Sequence, residues 1–391
     1  MKSSDKLFIE SIFTDKYYKA YNLHLLYTLN ITFSIFHKLK ITDCLKSNFV
    51  SCEGLMKHFD FSNQAKCSFN WMLNFLEQTG YLEKNVQNKK IFFKSQKDIP
   101  LSQAKQIAKE ILELDKNWHP FIKLVDNIAY EYESFLKGYK SGMEILFYKD
   151  KMQLWNNYFN NNFSGYSVFN ICGAYGMAKW FSRKNSGKIL ELGGGTGGAT
   201  IKLFYAYKKA NILDRIEKYI FSDVSPVFLR MGNRILTEQF PGIGDKVELK
   251  VLDFNKSLSS QKIQQESFDA VYAVNALHVS YDLNFSLKEL YNALKEKGVL
   301  VISELVRMSE EYVLPQEFIF TLLESYYNVK TDSLLRKTYG FLTPESWKRH
   351  FEIAGFKNIK IITNADSSEK PLSSNNDPVF MLVIKGQKIR G

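Results

Sequence analysis

The chain has 391 residues, of which 45% are hydrophobic and 24% are charged. This balance excludes wholesale disorder and predicts a globular protein of two or three domains with a large core. The net charge of +11 is spread along the sequence, which is typical of a Lys-rich solvated surface and compatible with weak attraction to an acidic partner.

The cysteines and the N-terminal residues further limit the class of protein. The four cysteines show no C-x-x-C spacing, so we expect reduced thiols and no bound metal. The opening sequence MKSSDKLFIESIF lacks the apolar centre of a secretion signal. The most apolar early stretch, LHLLYTLNITFSIF, is too short and too polar to span a bilayer. We therefore expect a cytoplasmic protein that neither spans nor binds a membrane.

Residues 1–180 are predicted to be mostly helical. Two short helices precede a longer one over NQAKCSFNWMLNFLEQTG and a hairpin over YLEKNVQNKKIFFKS, an order typical of a winged helix. The longer helix carries many large apolar residues, which favours burial in a core or a dimer interface over DNA binding. We expect a homodimer and no nucleic-acid partner. The Asn-rich stretch LWNNYFNNNFSGYS is predicted to be a loop that lines a pocket or forms a surface linker.

Strands and helices alternate from residue 188 onward. Apolar strands are predicted over KILEL, KYIFSD, KVELKVLD, FDAVYAVNALH and VLVISEL, and a helix over SLKELYNALKEKG ends at Gly298. Two further strands, KNIKIIT and DPVFMLVIKG, follow a stretch predicted to be helical. The pattern predicts an open, mostly parallel, doubly wound sheet. Ligands of such sheets bind beyond the carboxyl ends of the strands, so the residues that end the strands are the candidates for a site.

The stretch ELGGGTGG follows the first of these strands. Its glycines satisfy G-x-G-x-x-G, a weak indication by itself because several nucleotide-like ligands use such a turn. Asp223 ends the second strand, where a carboxylate can bind a ribose diol of either a nicotinamide dinucleotide or S-adenosylmethionine. Asp253 ends the third strand and could reach an adenine amino group, while Phe254 could pack on the ring.

The motifs ILELGGGTGG, FSDVSP, VLDFNKS, FDAVYAVNALH and GVLVISEL together resemble those of class I S-adenosylmethionine-dependent methyltransferases. The similarity is strongest to the methyltransferase domains of polyketide and nonribosomal-peptide synthases, and LLESYY and LLRKTYGFLTPESWKRHFEIAGF extend it over roughly 150–391. The resemblance implies an α/β fold with a Rossmann-like seven-stranded sheet and a reversed edge strand. The implied methyltransferase domain is 181–391, with a helical lid insertion at about 306–340. Domain 1–180 resembles the dimerisation region of small-molecule O-methyltransferases.

The resemblance also implies S-adenosylmethionine as the cofactor, and it assigns residues to the site. His278 is the expected general base, since an imidazole can accept a proton near neutral pH, and Glu304 is expected to hold its other ring nitrogen. The expected cofactor-binding residues are Glu191, Gly193, Gly194, Gly195, Asp223, Val224, Asp253, Phe254 and Asn275.

Other residues are weaker candidates, and two positions depart from the family pattern. Possible substrate contacts are His119, His350, Arg307 and Arg336, and Trp155 and Tyr158 could cover the cofactor or pack in the core. Gly194 stands where the family often has Ala, a change we expect to be sterically harmless. Tyr326 and Tyr327 stand where it often has two Trp, so the acceptor cannot be transferred from the family.

Four functions remain open from the sequence. The first is methylation of a hydroxyl oxygen on a polyketide or peptide-like intermediate, free or bound to an acidic acyl carrier protein. The alternative is methylation of the activated α-carbon of a carrier-bound β-ketoacyl intermediate. A winged-helix regulator or scaffold without activity is less favoured. A nicotinamide oxidoreductase would need a catalytic pair after the sheet, and the sequence shows none.

Overall fold

The computed structural model describes residues 3–148, 151–159, 161–367 and 380–389. The first part of the chain is mostly helical, as predicted. Its elements are α1 (Ser3–Ile12), α2 (Asp15–Lys38), α3 (Ile41–Leu45), β1 (Val50–Ser51), α4 (Cys52–His58), α5 (Lys66–Gln78), β2 (Leu82–Gln87), β3 (Lys90–Ser95), α6 (Ala104–Leu114), α7 (His119–Leu136), α8 (Gly142–Phe147), α9 (Met152–Tyr158) and α10 (Ser164–Phe181).

The predicted order of helices and hairpin is present between α3 and β3. Ser51 is the N-cap residue of α4, and its hydroxyl accepts a hydrogen bond from the Gly54 amide at 3.0 Å. Asn88 and Lys89 join β2 to β3 with φ values of 49° and 63°, the left-handed conformation that a two-residue hairpin turn needs. β1 pairs with β3 and completes a three-stranded sheet.

The helix α5, which corresponds to the third helix of the winged pattern, is buried rather than presented to solvent. Trp71 and Phe75 belong to a core formed with α2, α4 and α7. The Trp71 indole N–H donates to the Leu314 carbonyl oxygen at 3.1 Å. Gln78 exchanges two hydrogen bonds with the Val313 backbone, at 2.9 and 2.7 Å. The helix therefore packs against the segment that follows the last parallel strand of the second sheet.

The second part of the chain forms the predicted seven-stranded sheet. Its elements are β4 (Gly187–Leu192), α11 (Gly198–Lys209), β5 (Ile216–Asp223), α12 (Pro226–Gln239), β6 (Val247–Val251), β7 (Phe268–Val274), α13 (Leu283–Ala293), β8 (Leu294–Leu305), α14 (Glu317–Phe320), α15 (Glu324–Tyr327), α16 (Pro344–Ala354), β9 (Lys357–Thr363) and β10 (Met381–Gln387). The strand order is β6-β5-β4-β7-β8-β10-β9. Strands β4 to β8 are parallel, and β10 is antiparallel to both β8 and β9.

The two faces of the sheet are covered by different helices, because alternate residues of each strand point to opposite sides. In β7, Ala270, Tyr272 and Val274 pack toward α10, α11 and α12, whereas Val271 and Ala273 pack toward α13 and α16. Residues of α1 and α2 join the first of these faces. The predicted boundary near residue 180 therefore does not separate two cores, and it stays a prediction.

Four predictions about elements are wrong in detail. The reversed strand is β10, which lies one position inside the sheet, while β9 forms the edge. The helix before β8 ends at Ala293 rather than near Gly298, since the next residue, Leu294, already pairs with Phe268 of β7. The lid at about 306–340 has only the short helices α14 and α15. The Asn-rich stretch contains α9, since Trp155 and Tyr158 both point into the core.

Within the described residues, no helix combines the length and the apolarity that a membrane span requires.

Candidate active site

The glycine-rich turn lies directly after β4 and leads into α11. Gly193 and Gly195 adopt φ values of 60° and 54°, and a Cβ on Gly193 would lie 2.7 Å from the Ala276 Cβ. Both positions therefore favour glycine for their conformation, and Gly193 needs it for space as well. The Gly194 amide donates to the Ser222 carbonyl oxygen at 2.8 Å, which fixes the turn against the end of β5.

Gly194 is constrained by an aromatic ring beneath it. A Cβ at this position would lie 2.3 Å from the Phe221 Cε2 atom, and a Cβ on Gly232 of α12 would lie 2.5 Å from the same ring. The Phe221 ring is thus held between two glycines. Glycine fits at this position without a clash, and Phe221 fills the space that the alanine methyl group of the family pattern would need.

Asp223 links the glycine turn to the loop after β5. Its Oδ2 atom accepts from the Gly195 amide at 2.9 Å, and its Oδ1 atom accepts from the Ser225 amide at 2.8 Å. Burial raises the pKa of this carboxyl above its ordinary value, and the two amides oppose that rise. Each carboxylate oxygen can accept a second hydrogen bond, so Asp223 can still bind a pair of hydroxyl groups.

A cavity of about 300 Å³ opens beyond the carboxyl ends of β4, β5 and β7. Of the predicted site residues, those that line it are Gly193, Gly194, Gly195, Asp223, Val224, Phe254, Asn275 and His278. The sequence thus brings together eight of the eleven expected residues around one space. Val224 is 64% exposed and lies at the mouth of the cavity.

Three of the expected residues do not line this cavity. Glu191 is buried beneath the glycine turn, where its carboxylate accepts from the Thr200 hydroxyl at 2.5 Å and the Tyr219 hydroxyl at 2.8 Å. Burial raises the pKa of the Glu191 carboxyl to about 7. The Asp253 Oδ1 atom accepts a hydrogen bond from the Asn255 amide at 2.9 Å, which forms a turn in the loop after β6. The third is Glu304, which lies behind His278.

His278 and Glu304 form a buried pair at the ends of neighbouring strands. His278 lies in a short turn, Leu277–Val279, after β7, and Glu304 is the penultimate residue of β8. The His278 Nδ1 atom lies 2.8 Å from the Glu304 Oε2 atom. A carboxylate only accepts, so Nδ1 carries the proton and donates it. In the neutral ring this makes Nε2 the acceptor nitrogen, and no described residue contacts that atom through a hydrogen bond.

The backbone around the pair orients it. The Glu304 Oε1 atom accepts from the Ala276 and Leu277 amides, each at 3.0 Å, so both oxygens of the carboxylate are used. Asn275 adopts a φ of 46°, and its side-chain oxygen accepts from the Leu305 amide at 2.7 Å. These bonds turn the chain sharply after β7 and direct His278 back over the strand ends.

The segment after β8 covers the imidazole with aromatic rings. The Phe341 ring centroid lies 4.3 Å from that of His278, and the Tyr326 ring lies at 6.0 Å. The Tyr326 hydroxyl donates to the Glu317 Oε1 atom at 2.6 Å, and Glu317 forms an ion pair with Arg307. Tyr326, one of the two departures from the family pattern, therefore acts in a buried polar network under the lid.

The weaker candidates from the sequence have other positions. Tyr158 lines the cavity, whereas Trp155 packs in the core behind it. Arg307 and Arg336 are buried away from the cavity wall, His350 bonds to Asn284 at 2.7 Å, and His119 is exposed at the start of α7. None of these four residues is among the cavity residues that the structure describes.

The sequence analysis missed much of the cavity wall. The wall residues that it did not assign individually include Phe159, Tyr166, Phe169, Asn170, Phe228, Gln316, Phe320, Leu323 and Phe341, the first two of which lie in the stretch predicted to line a pocket or form a linker. They come from α9, α10, α12 and the lid, so no local spacing connects them. The aromatic content of LWNNYFNNNFSGYS was the one usable indication. Among the described residues, no group of three or more His, Cys, Asp or Glu side chains is placed to hold a metal ion.

Residues 190–300 match the family described as the methyltransferase domain. This match covers less than half of the chain, so the likeness to that family is a likeness of residues 190–300. A highly reducing polyketide synthase from Gibberella fujikuroi is 34% identical over 130 residues, which are 33% of this chain and 5% of that protein. A polyketide synthase from Burkholderia thailandensis is 25% identical over 256 residues, 63% of this chain and 12% of that protein. The chain therefore corresponds to a small part of these relatives.

Solved structures show a likeness in fold over 94–99% of this chain. The CurJ carbon methyltransferase superposes with a TM-score of 0.81 at 18% identity, covering 99% of this chain and 96% of that one. The DszA carbon methyltransferase gives 0.76 at 20% identity, covering 99% and 94%. The trans-methyltransferase CalH, solved with SAH, gives 0.65 at 19% identity, covering 94% and 90%. The predicted class I methyltransferase fold is confirmed. The likeness of residues 1–180 to an O-methyltransferase dimerisation region stays a prediction.

Proposed function

We propose that the protein is an S-adenosylmethionine-dependent methyltransferase of polyketide biosynthesis that methylates the α-carbon of a carrier-bound β-ketoacyl intermediate. The observation that carries the proposal is the His278–Glu304 pair at the wall of a cavity that the glycine turn and Asp223 also line. Two structures of the same fold are named carbon methyltransferases. These names favour the alternative drawn from the sequence over its first interpretation, transfer to a hydroxyl oxygen.

The residues around the glycine turn fit S-adenosylmethionine. Gly193 and Gly195 bring the backbone close to the cavity, and the free lone pairs of Asp223 suit the two hydroxyls of a ribose. The apolar side chains of Leu252 and Phe254 line the wall near the end of β6, where an adenine ring would pack. A related structure was solved with SAH, the product of this cofactor. When bound, the cofactor supplies a methyl group on a positively charged sulfur.

The His278–Glu304 pair suits the removal of a proton from the acceptor. A carbon between a ketone and a thioester carbonyl is acidic enough for an imidazole to deprotonate near neutral pH. The unprotonated Nε2 atom takes that proton, and the resulting imidazolium is stabilised by Glu304 across the 2.8 Å hydrogen bond. The electron pair left on the carbon becomes the nucleophile.

The lid supplies the walls of the acceptor end. Phe320, Leu323 and Phe341 exclude water from the neighbourhood of the imidazole. The Gln316 Oε1 atom is buried beside the cavity without a hydrogen-bond partner in the described residues, so it can accept from an N–H group of the acceptor. Such a group suits the amide-bearing arm of an acyl carrier protein, and the net charge of +11 suits an acidic carrier.

The cofactor assignment is tested first, by calorimetric titration of the protein with S-adenosylmethionine and, separately, with NADH. We expect binding of S-adenosylmethionine alone. Asp223→Ala should abolish it, and the exposed control Asp245→Ala should not. Binding of NADH instead would overturn the assignment, and binding of neither would favour a scaffold without activity.

The methylated atom is tested with a β-ketoacyl thioester of N-acetylcysteamine and cofactor labelled with ¹³C in the methyl group. We expect a new carbon-bound methyl signal in the NMR spectrum of the product. His278→Ala should remove it, and the exposed control His119→Ala should keep it. A signal at the chemical shift of a methoxy group would restore the oxygen interpretation.

A further inference from the structure

Arg336 is a buried arginine without an acidic partner. Its side chain is 2% exposed, and within the described residues no carboxylate lies at ion-pair distance from it. Burial lowers the pKa of its guanidinium to about 10, with Arg307 adding to the effect. Burying a charge with no counter-ion destabilises the folded state, so the burial of Arg336 needs a specific role to explain it.

The guanidinium bonds to three backbone carbonyls on two different segments. One terminal nitrogen donates to the Ser280 carbonyl oxygen at 2.7 Å, and the other donates to the His278 carbonyl oxygen. The second nitrogen also reaches the Gly340 carbonyl oxygen at 3.4 Å. His278 and Ser280 belong to the turn after β7, whereas Gly340 belongs to the lid, as does Arg336 itself, so the bonds to His278 and Ser280 are the ones that connect the lid to the turn.

These contacts join the two elements that hold the His278 ring. The turn after β7 positions the ring from below, and Phe341, next to Gly340, packs on it at 4.3 Å. Glu304 fixes the rotation of the ring through Nδ1 but contacts neither the lid nor the His278 carbonyl. A planar fork of five N–H donors can span both segments, which a lysine ammonium cannot do with the same geometry.

We propose that Arg336 is a positioning residue for proton abstraction, which locks the His278 turn to the lid. This rests on the proposed function, because it assumes that His278 is the base. Loss of the lock lets the imidazole and its aromatic cover move apart, and a displacement of about 1 Å costs up to about 10²-fold in rate. The cofactor end of the cavity, formed by the glycine turn and Asp223, does not depend on this lock.

The test compares Arg336→Lys and Arg336→Met with the wild type. The readouts are kcat and KM for the β-ketoacyl thioester, the dissociation constant of S-adenosylmethionine, and exchange of the acceptor α-proton in D₂O without cofactor. We expect kcat and the exchange rate to fall together by about 10- to 100-fold. We expect KM and the cofactor dissociation constant to stay within about threefold. The exposed control Arg349→Lys should match the wild type.

Each other outcome is decisive. An Arg336→Lys variant with wild-type kcat and exchange rate overturns the proposal. So does a variant that loses its melting transition or its cofactor affinity, since the arginine would then serve the fold alone. A wild type that binds cofactor but neither exchanges the α-proton nor transfers methyl removes the proposed function, whereas an active wild type confines the failure to Arg336.

Discussion

The exchange Glu304→Gln tests the proposed catalytic pair of His278 and Glu304 with little change in the shape of the side chain. In the wild type the carboxylate uses both oxygens as acceptors, one toward two backbone amides at 3.0 Å and one toward the His278 Nδ1–H at 2.8 Å. A glutamine has only one oxygen and one NH₂ group, so it cannot serve both sides. Glu304 is fully buried, and water cannot take over the missing role.

Both orientations of the glutamine side chain are costly, in different ways. With its oxygen toward the Ala276 and Leu277 amides, its NH₂ group faces Nδ1 and selects the tautomer that carries the proton on Nε2, which cannot act as a base. By analogy with the corresponding Asp-to-Asn exchange in serine proteases, this lowers kcat by about 10⁴-fold. The opposite orientation places the NH₂ group against two N–H donors and costs about 1–3 kcal/mol for each unsatisfied amide.

The assay is methyl transfer to the β-ketoacyl thioester together with α-proton exchange in D₂O. For Glu304→Gln we expect both rates to fall by about 10³-fold or more, while the cofactor dissociation constant stays within about threefold. The exposed Glu311→Gln is the matched control. If Glu304→Gln keeps kcat within tenfold of the wild type, the tautomer argument fails and His278 is not the base.

Three further predictions concern the parts around the pair. Gly194→Ala should lower the free energy of unfolding by about 1–3 kcal/mol in chemical denaturation, because its methyl group meets the Phe221 ring; adding Phe221→Leu should recover part of the loss, and additive losses would disprove this contact. The pKa of Glu191 rises from 4.5 to about 7 on folding, so the folded state binds more protons and stability falls as pH rises through that window. Glu191→Gln should remove this fall and be more stable than wild type by about 3 kcal/mol at pH 8, and equal pH profiles would show that Glu191 does not titrate there. Gln78→Ala breaks two hydrogen bonds to Val313, so it should raise the acceptor KM and leave cofactor binding unchanged, whereas a parallel loss of both would mean general unfolding.

The sheet and the glycine turn could be predicted because their patterns are local. The parallel strands are short apolar runs, and the residues that end them meet at one edge whatever the lengths of the connections between them. Asp223 and His278 were found for this reason. Glu191 ends on the other side because it lies one residue before the last of β4, where alternation directs its side chain beneath the turn rather than toward the cavity.

The lid and α9 could not be predicted, because their structure is decided by distant contacts. The segment around Glu317 has an apolar periodicity that suggests helix, yet Arg307 and Tyr326 bind its carboxylate and break the segment into short turns. Trp155 lies among asparagines that favour loops, but its indole N–H finds the Leu146 carbonyl oxygen and its ring finds the core. The helix and strand propensities of single residues do not predict contacts between residues that are distant in sequence.

The position of α5 under the lid affects how this fold could be shared or recombined. Trp71 and Gln78 bind the backbone of the lid, and Tyr158 and Tyr166 line the cavity, so the half before residue 180 provides part of the cavity wall. A fragment that begins at β4 would keep the glycine turn. It would lose the part of the cavity wall that contains Tyr158 and Tyr166, and it would lose the contacts between α5 and the lid. A chimaera that exchanges only the seven-stranded sheet between two relatives should therefore not exchange their acceptor preference. The helical half has to be exchanged together with the sheet.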